Sequence, residues 1–149
     1  MNVTKEVLIE SSLSKIYQAF YNFKHWIRAL SDVLDVKIFY DDGYHQEFSM
    51  TVSRPGGEET VKGIRFCEPD KTIELFQTQP PPLFKKMMGT WRFSNDNKGG
   101  VIVSASREFE ILDDDKQDSH LNDIKKMLSS YLDKNLNLFK RYIENDFNN

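Results

Sequence analysis

A single cysteine, Cys67, stands among the 149 residues. One thiol excludes an intrachain disulfide framework and any multi-cysteine zinc site. Histidines are as scarce: His25, His45 and His120 lie far apart in the chain, without the spacing of a metal-binding motif. No metal site is expected. An excess of one charge is missing too. Twenty Lys and Arg against 23 Asp and Glu leave a net charge of −3, and neither half is strongly basic, so nucleic acid is not an expected partner. No apolar run approaches the roughly 18 to 20 residues of a membrane span. The first residues, MNVTKEVLIE, lack the basic-then-apolar build of a signal peptide. The expectation is a cytoplasmic protein without a membrane partner. No Gly-rich phosphate loop, serine nucleophile elbow or pair of catalytic carboxylates stands out.

What the chain does have is aromatic side chains: eleven Phe, six Tyr and two Trp, 13% of residues within a hydrophobic content of 39%. That content argues against disorder. The length suits one domain over residues 1–149, and a chain of this size buries roughly 70% of its unfolded surface without staples.

Val3 to Glu10 reads as a strand. Ser12 is a plausible N-cap for a short helix carrying Leu13, Ile16, Ala19 and Phe20. A second short helix, Phe23 to Leu30, carries Trp26. Val33 to Tyr40 alternates, with Val36, Ile38 and Tyr40 on one face, and Asp41-Asp42-Gly43 signals a hairpin turn. Tyr44 to Val52 puts Phe48, Met50 and Val52 on one face and His45, Glu47, Ser49 and Thr51 on the other. Strands follow at Thr60 to Cys67 and Lys71 to Gln79, before Pro80-Pro81-Pro82, which cannot sit inside a sheet. Lys85 to Ser94 and Val101 to Leu112 form a last hairpin, and Asp113-Asp114-Asp115 marks a loop. From His120 to about Phe147 the period becomes 3.6, with Leu121, Ile124, Leu128, Tyr131, Leu132, Leu138, Phe139 and Tyr142 in one apolar stripe.

Strands joined by short turns pair with their neighbours, so an α+β fold with a seven-stranded, mostly antiparallel sheet is expected. One long helix covers such a sheet only if the sheet curls around it, and the curl leaves an interior gap. The gap is an apolar cavity suited to a small molecule.

Four stretches carry a family likeness: Asn22-Phe23-Lys24-His25-Trp26; Lys62-Gly63-Ile64-Arg65-Phe66-Cys67-Glu68-Pro69; Pro82 to Phe93, containing Met87-Met88-Gly89-Thr90-Trp91; and Ser104-Ala105-Ser106-Arg107-Glu108-Phe109. With the element order, they make the chain resemble the helix-grip fold of the START and birch-pollen-allergen superfamily. Within it, the chain is similar to the single-domain polyketide aromatase/cyclases. Ile27 and Val33 stand where such cyclases carry a proline and, in some, a pocket tyrosine. The resemblance implies a pocket arginine at Arg65, polar pocket residues on the long helix, no metal or organic cofactor, and an acyl carrier protein with a tethered polyketide as partner, the chain being a monomer or homodimer.

Arg65 shares strand parity with Val61, Gly63 and Cys67, opposite Ile64 and Phe66. Neither face is clearly polar. Pointing inward, it would hold a ketone or enolate oxygen; pointing outward, it would pair with Glu68 or Glu58. Arg107 shares parity with Val103, Ala105 and Phe109, so an unbulged strand aims it inward and a bulge turns it out. Asn135 interrupts the apolar stripe of the helix and either lines a pocket or bonds a backbone group. Tyr131, on the same face, is a proton donor or a packing residue. Trp26, Tyr40, Phe48, Met50, Met87, Trp91 and Phe93 are core, or walls of a cavity that favours a flat, conjugated ligand. His25 and His45 are expected at the surface, and Cys67 as a buried, inert thiol.

Three functions follow. The first is an aromatase/cyclase that folds a carrier-tethered poly-β-ketone, with Arg65 at the developing enolate and the carrier near Lys24 and Arg28 or Lys85 and Lys86. The second is a non-catalytic lipid or hydrophobic-ligand carrier of the same fold. An interaction module with an infilled cavity is the third and weakest.

Overall fold

The computed structural model describes residues 1–112 and 118–147; the loop expected at Asp113 to Asp115 lies outside them. The chain runs β1 (Asn2–Ile9), α1 (Leu13–Tyr21), α2 (Phe23–Ala29), β2 (Val33–Asp41), β3 (His45–Arg54), β4 (Gly57–Glu68), β5 (Thr72–Gln79), β6 (Phe84–Asn95), β7 (Val101–Ile111) and α3 (Asp118–Tyr142), which ends in a π-helical turn, Ile143–Phe147. Ser12 caps α1 as expected, its hydroxyl accepting from the Lys15 amide at 3.3 Å.

All seven strands form one antiparallel sheet in the order β1-β7-β6-β5-β4-β3-β2. Five hairpin connections make β2 to β7 a meander, while β1 closes onto β7 and the α1–α2 pair bridges the two edges. The inner face carries alternate residues: Phe48, Met50 and Val52 on β3, Val61, Gly63, Arg65 and Cys67 on β4, Met87, Gly89, Trp91 and Phe93 on β6, and Val103, Ala105 and Phe109 on β7. These residues meet Ile124, Leu128, Leu132, Leu136 and Phe139 of α3 and Phe20, Phe23 and Trp26 of the short helices in one core.

Three expectations are corrected. The β2 strand is an edge with register shifts between Val33 and Asp35 and between Ile38 and Tyr40. Its alternation therefore breaks, and Ile38, Phe39 and Tyr40 are all more than half exposed. His25 is buried, with Nδ1 2.6 Å from the Tyr142 hydroxyl. The long helix does not stay α-helical to Phe147. Its last turn widens, and Tyr142 and Phe147, five residues apart, both reach the His25 ring.

Candidate functional site

Between α3 and the curled sheet lies a cavity of about 500 Å³. Its exposed lining residues, Pro55, Pro82, Leu83 and Met127, mark the opening, between the β3–β4 turn, the β5–β6 loop and the first half of α3. Leu83 sits there at φ +79°, a conformation that L residues adopt at a cost. The opposite end is closed by Phe20, Phe23, Trp26, Phe48 and Trp91.

Arg65 occupies the closed end and is fully buried. Its Nε and Nη2 donate to Gln46 Oε1 at 2.9 and 2.7 Å, Nη2 also donates to the Tyr21 carbonyl at 2.6 Å, and Nη1 donates to the Phe20 carbonyl at 3.0 Å. Those carbonyls end α1, where the helix leaves them without internal partners. Trp26 Nε1 also donates to the Phe20 carbonyl, at 2.8 Å. Gln46 Nε2 donates to Asp41, which accepts from the Tyr21 hydroxyl at 2.6 Å, so α1, β2, β3 and β4 are tied together through Arg65. Four bonds from a group with five N–H donors leave one N–H, on Nη1, without a protein acceptor among the described residues. The guanidinium carbon lies 4.1 Å from the Phe23 ring centroid and 5.9 Å from that of Trp91. Burial pulls the guanidinium pKa down to about 10, against the pull of Cys67, Tyr17, Tyr21 and Asp41.

Arg107 is a second cation on the inner face, partly buried. Strand β7 keeps its register with β6 around it, so Arg107 points inward, as an unbulged strand requires. Its guanidinium carbon lies 4.8 Å from the Trp91 ring centroid, and Nη1 donates to the Ser106 carbonyl at 2.9 Å. Burial again pulls the pKa down to about 10, opposed by Tyr131.

Nearer the opening, the Arg54 guanidinium stands 4.7 Å from the Tyr131 ring centroid and 3.6 Å from both Asp32 and Glu59. Asn135 Oδ1 and Gln77 Oε1 are buried without a hydrogen-bond partner. Among the described residues, no group of three His, Cys, Asp or Glu could hold a metal ion. Cys67 is buried, and burial pushes its thiol pKa up.

Of the residues singled out in the sequence, Trp26, Phe48, Met50, Arg65, Met87, Trp91, Arg107, Tyr131 and Asn135 all line this cavity. Two do not. Tyr40 is thrown outward by the β2 bulge, and its hydroxyl donates to Asp42. Phe93 faces inward but is covered by Tyr17 and Phe20, whose rings meet it edge-on at 5.5 Å. Gln46, Arg54 and Gln77 escaped the sequence reading. Their signal was parity: each is a polar residue on the apolar face of its strand. Lys85 and Lys86 follow directly on Phe84, beside the opening, whereas Lys24 and Arg28 lie on α2 at the closed end.

Seven antiparallel strands curled around one long C-terminal helix, with two short helices after the first strand, make the helix-grip fold, shared with a START superfamily protein of known structure from Mycobacterium smegmatis. The chain is similar to the di-domain aromatase/cyclase StfQ of the steffimycin biosynthetic pathway, with a TM-score of 0.82 and 20% identity over 96% of this chain and 49% of StfQ. It is also similar to the Zhui aromatase/cyclase from Streptomyces, with a TM-score of 0.74 and 16% identity over 97% of this chain and 96% of that one. At these identities the likeness shows the fold. In sequence, 71 residues are 34% identical to the actinorhodin polyketide synthase bifunctional cyclase/dehydratase of Streptomyces coelicolor. That stretch is 45% of this chain and spans only 22% of the relative. No family model matches the chain.

Proposed function

We propose that the protein is a polyketide aromatase/cyclase, acting on a poly-β-ketone tethered to an acyl carrier protein. The observation that supports this best is a buried guanidinium lining the closed end of an aromatic cavity, with one N–H not used by its four bonds to the protein. The similarity to the actinorhodin cyclase/dehydratase supports the same reading.

The chain would enter between Pro82 and Met127 and fold against Trp26, Phe48 and Trp91. Confinement brings a methylene carbon next to a distant ketone and removes most of the entropic barrier to their encounter. Loss of a proton from that methylene, flanked by two carbonyls, gives an enolate whose oxygen the Arg65 N–H stabilises. The enolate carbon attacks the ketone carbon, and the resulting alkoxide takes up a proton. Loss of the new hydroxyl with an adjacent hydrogen releases water and leads to the aromatic ring. Tyr131, a water or the substrate's own enol would carry the protons. The carrier protein, acidic as a class, would dock by the exposed Lys85 and Lys86.

Reconstitution with a minimal polyketide synthase and its acyl carrier protein tests the reading. Wild type is expected to channel the chain to one ring pattern, and Arg65→Lys to lose most of that channelling while staying folded. An unchanged mixture of spontaneous products with wild type would overturn it.

A carrier without catalysis is favoured by one observation: the protein itself uses four of the Arg65 hydrogen bonds. Native mass spectrometry separates the two readings. A lipid retained through purification, with no effect on polyketide products, selects the carrier.

A further inference from the structure

Arg107 is held in a prepared berth. Opposite it in the β6–β7 ladder stands Gly89. A Cβ at that position would overlap the Arg107 Nη1 and press on the Ser106 carbonyl. The missing side chain of Gly89 is therefore the space in which the guanidinium lies, beside the Trp91 ring.

Once in place, the cation is almost unpartnered. Its one hydrogen bond among the described residues goes to the carbonyl of its own neighbour, Ser106. Among the described residues its charge is supported by the Trp91 ring face and the nearby Tyr131, and by no carboxylate. Arg65, by contrast, spends four of its five N–H donors on backbone carbonyls and Gln46. A cation facing an apolar cavity, partly withdrawn from water and without a carboxylate partner among the described residues, is costly, and folds keep one where something else supplies the counter-charge. Two unpartnered amide oxygens, Asn135 Oδ1 and Gln77 Oε1, belong to side chains lining the same cavity. The cavity thus asks for an oxyanion at Arg107 and can offer acceptors to a hydroxyl beside it. The ring-lined walls ask for a flat body.

We propose that Arg107 is an anion-binding residue that holds the ligand as a conjugated oxyanion: the enolate of a β-dicarbonyl, or the phenolate of the ring formed from it. An aliphatic carboxylate would satisfy the charge without using the flat walls. The proposal rests on the cavity being the ligand site, as in the cyclase reading, and holds equally if the protein only carries its ligand.

Absorbance titration of 7-hydroxycoumarin, whose phenol and phenolate absorb at different wavelengths, tests it. Bound to wild type, the probe is expected to ionise at least about one pH unit lower than when free, as an adjacent cation dictates. In Arg107→Met the shift should vanish while the non-ionising 7-methoxycoumarin still binds. Gly89→Ala, which keeps the charge but displaces the guanidinium, should shrink the shift and serves if Arg107→Met does not fold. A shift that survives in both variants would assign the anion to Arg65 and overturn the proposal. So would a probe bound as the neutral phenol, or palmitate binding with no coumarin binding. If the coumarin shift appears and ring closure does not, the cyclase reading falls and the anion site stands.

Discussion

Arg65 donates four hydrogen bonds to the protein, whereas Arg107 donates one. Truncation should therefore act on stability in opposite directions. Arg65→Met would leave the Phe20 carbonyl with only Trp26, and would take partners from the Tyr21 carbonyl and Gln46. Each acceptor keeps one partner, Trp26 Nε1, Gln46 Nε2 or Cys67 Sγ, but loses hydrogen bonds to a charged donor, which are worth about 1.5 to 3 kcal/mol each, so a net loss of about 2 kcal/mol is expected in urea denaturation. Arg107→Met removes a partly buried charge that no carboxylate among the described residues pairs. It should raise stability by about 1 kcal/mol, the usual sign when a functional residue is relaxed. Equal destabilisation by both would contradict the distinction. The direction of Arg65 was open in the sequence because both faces of its strand carry apolar residues. Arg107 was legible only on the condition of an unbulged strand. Its berth was not legible, because Gly89 and Arg107 become neighbours only through the β6–β7 register.

At the scale of elements, His25 joins α2 to the end of α3, where Tyr142 and Phe147 enclose its ring. Burial, then the positive charges of Lys24 and Arg28, hold its pKa below the ordinary 6.5. As pH falls, the unfolded chain binds this proton before the folded one does. The stability contributed by neutral His25 is thus fully present above pH 6.5 and is lost as pH drops through its lowered folded value. Urea midpoints measured between pH 8 and 5 should fall in wild type and stay flatter in His25→Phe. A wild-type midpoint that rises toward pH 5 would contradict this. The sequence placed His25 at the surface because α2 is too short for its periodicity to show a buried side. The partner that covers it also comes from the far end of the chain, in a π-turn that a 3.6 period does not announce. The interior strand β3 was easier to read, since Phe48, Met50 and Val52 keep their shared inner face in the sheet. The edge strand β2 misled because its bulges reverse parity midway, carrying Tyr40 outward.

At the scale of the whole molecule, the cavity follows from an imbalance that the element order already contains. Seven strands present more inner face than one helix of 25 residues can cover. The short helices close one end, and the other stays open between Pro55, Pro82, Leu83 and Met127. Arithmetic of this kind predicts a gap but not its shape, which depends on the sheet's curl and on which rings pack together. Phe93 shows the difference: it has the right parity, yet α1 covers it. If the gap is kept for a ligand rather than being a defect of packing, filling it should separate binding from stability. Val61 lines the cavity from β4 and retains 9% of its surface, so a larger side chain there grows into empty volume rather than into neighbours. Val61→Phe should hold or raise the melting temperature, in line with cavity-filling gains of about 1 kcal/mol. The same change should weaken 7-hydroxycoumarin binding at least about tenfold, or about 1.4 kcal/mol. Calorimetry reads both quantities on the same sample. A variant that melts higher and still binds the probe as wild type does would show that the ligand sits elsewhere. A variant that melts lower would show that the walls already meet around Val61, leaving no space to fill.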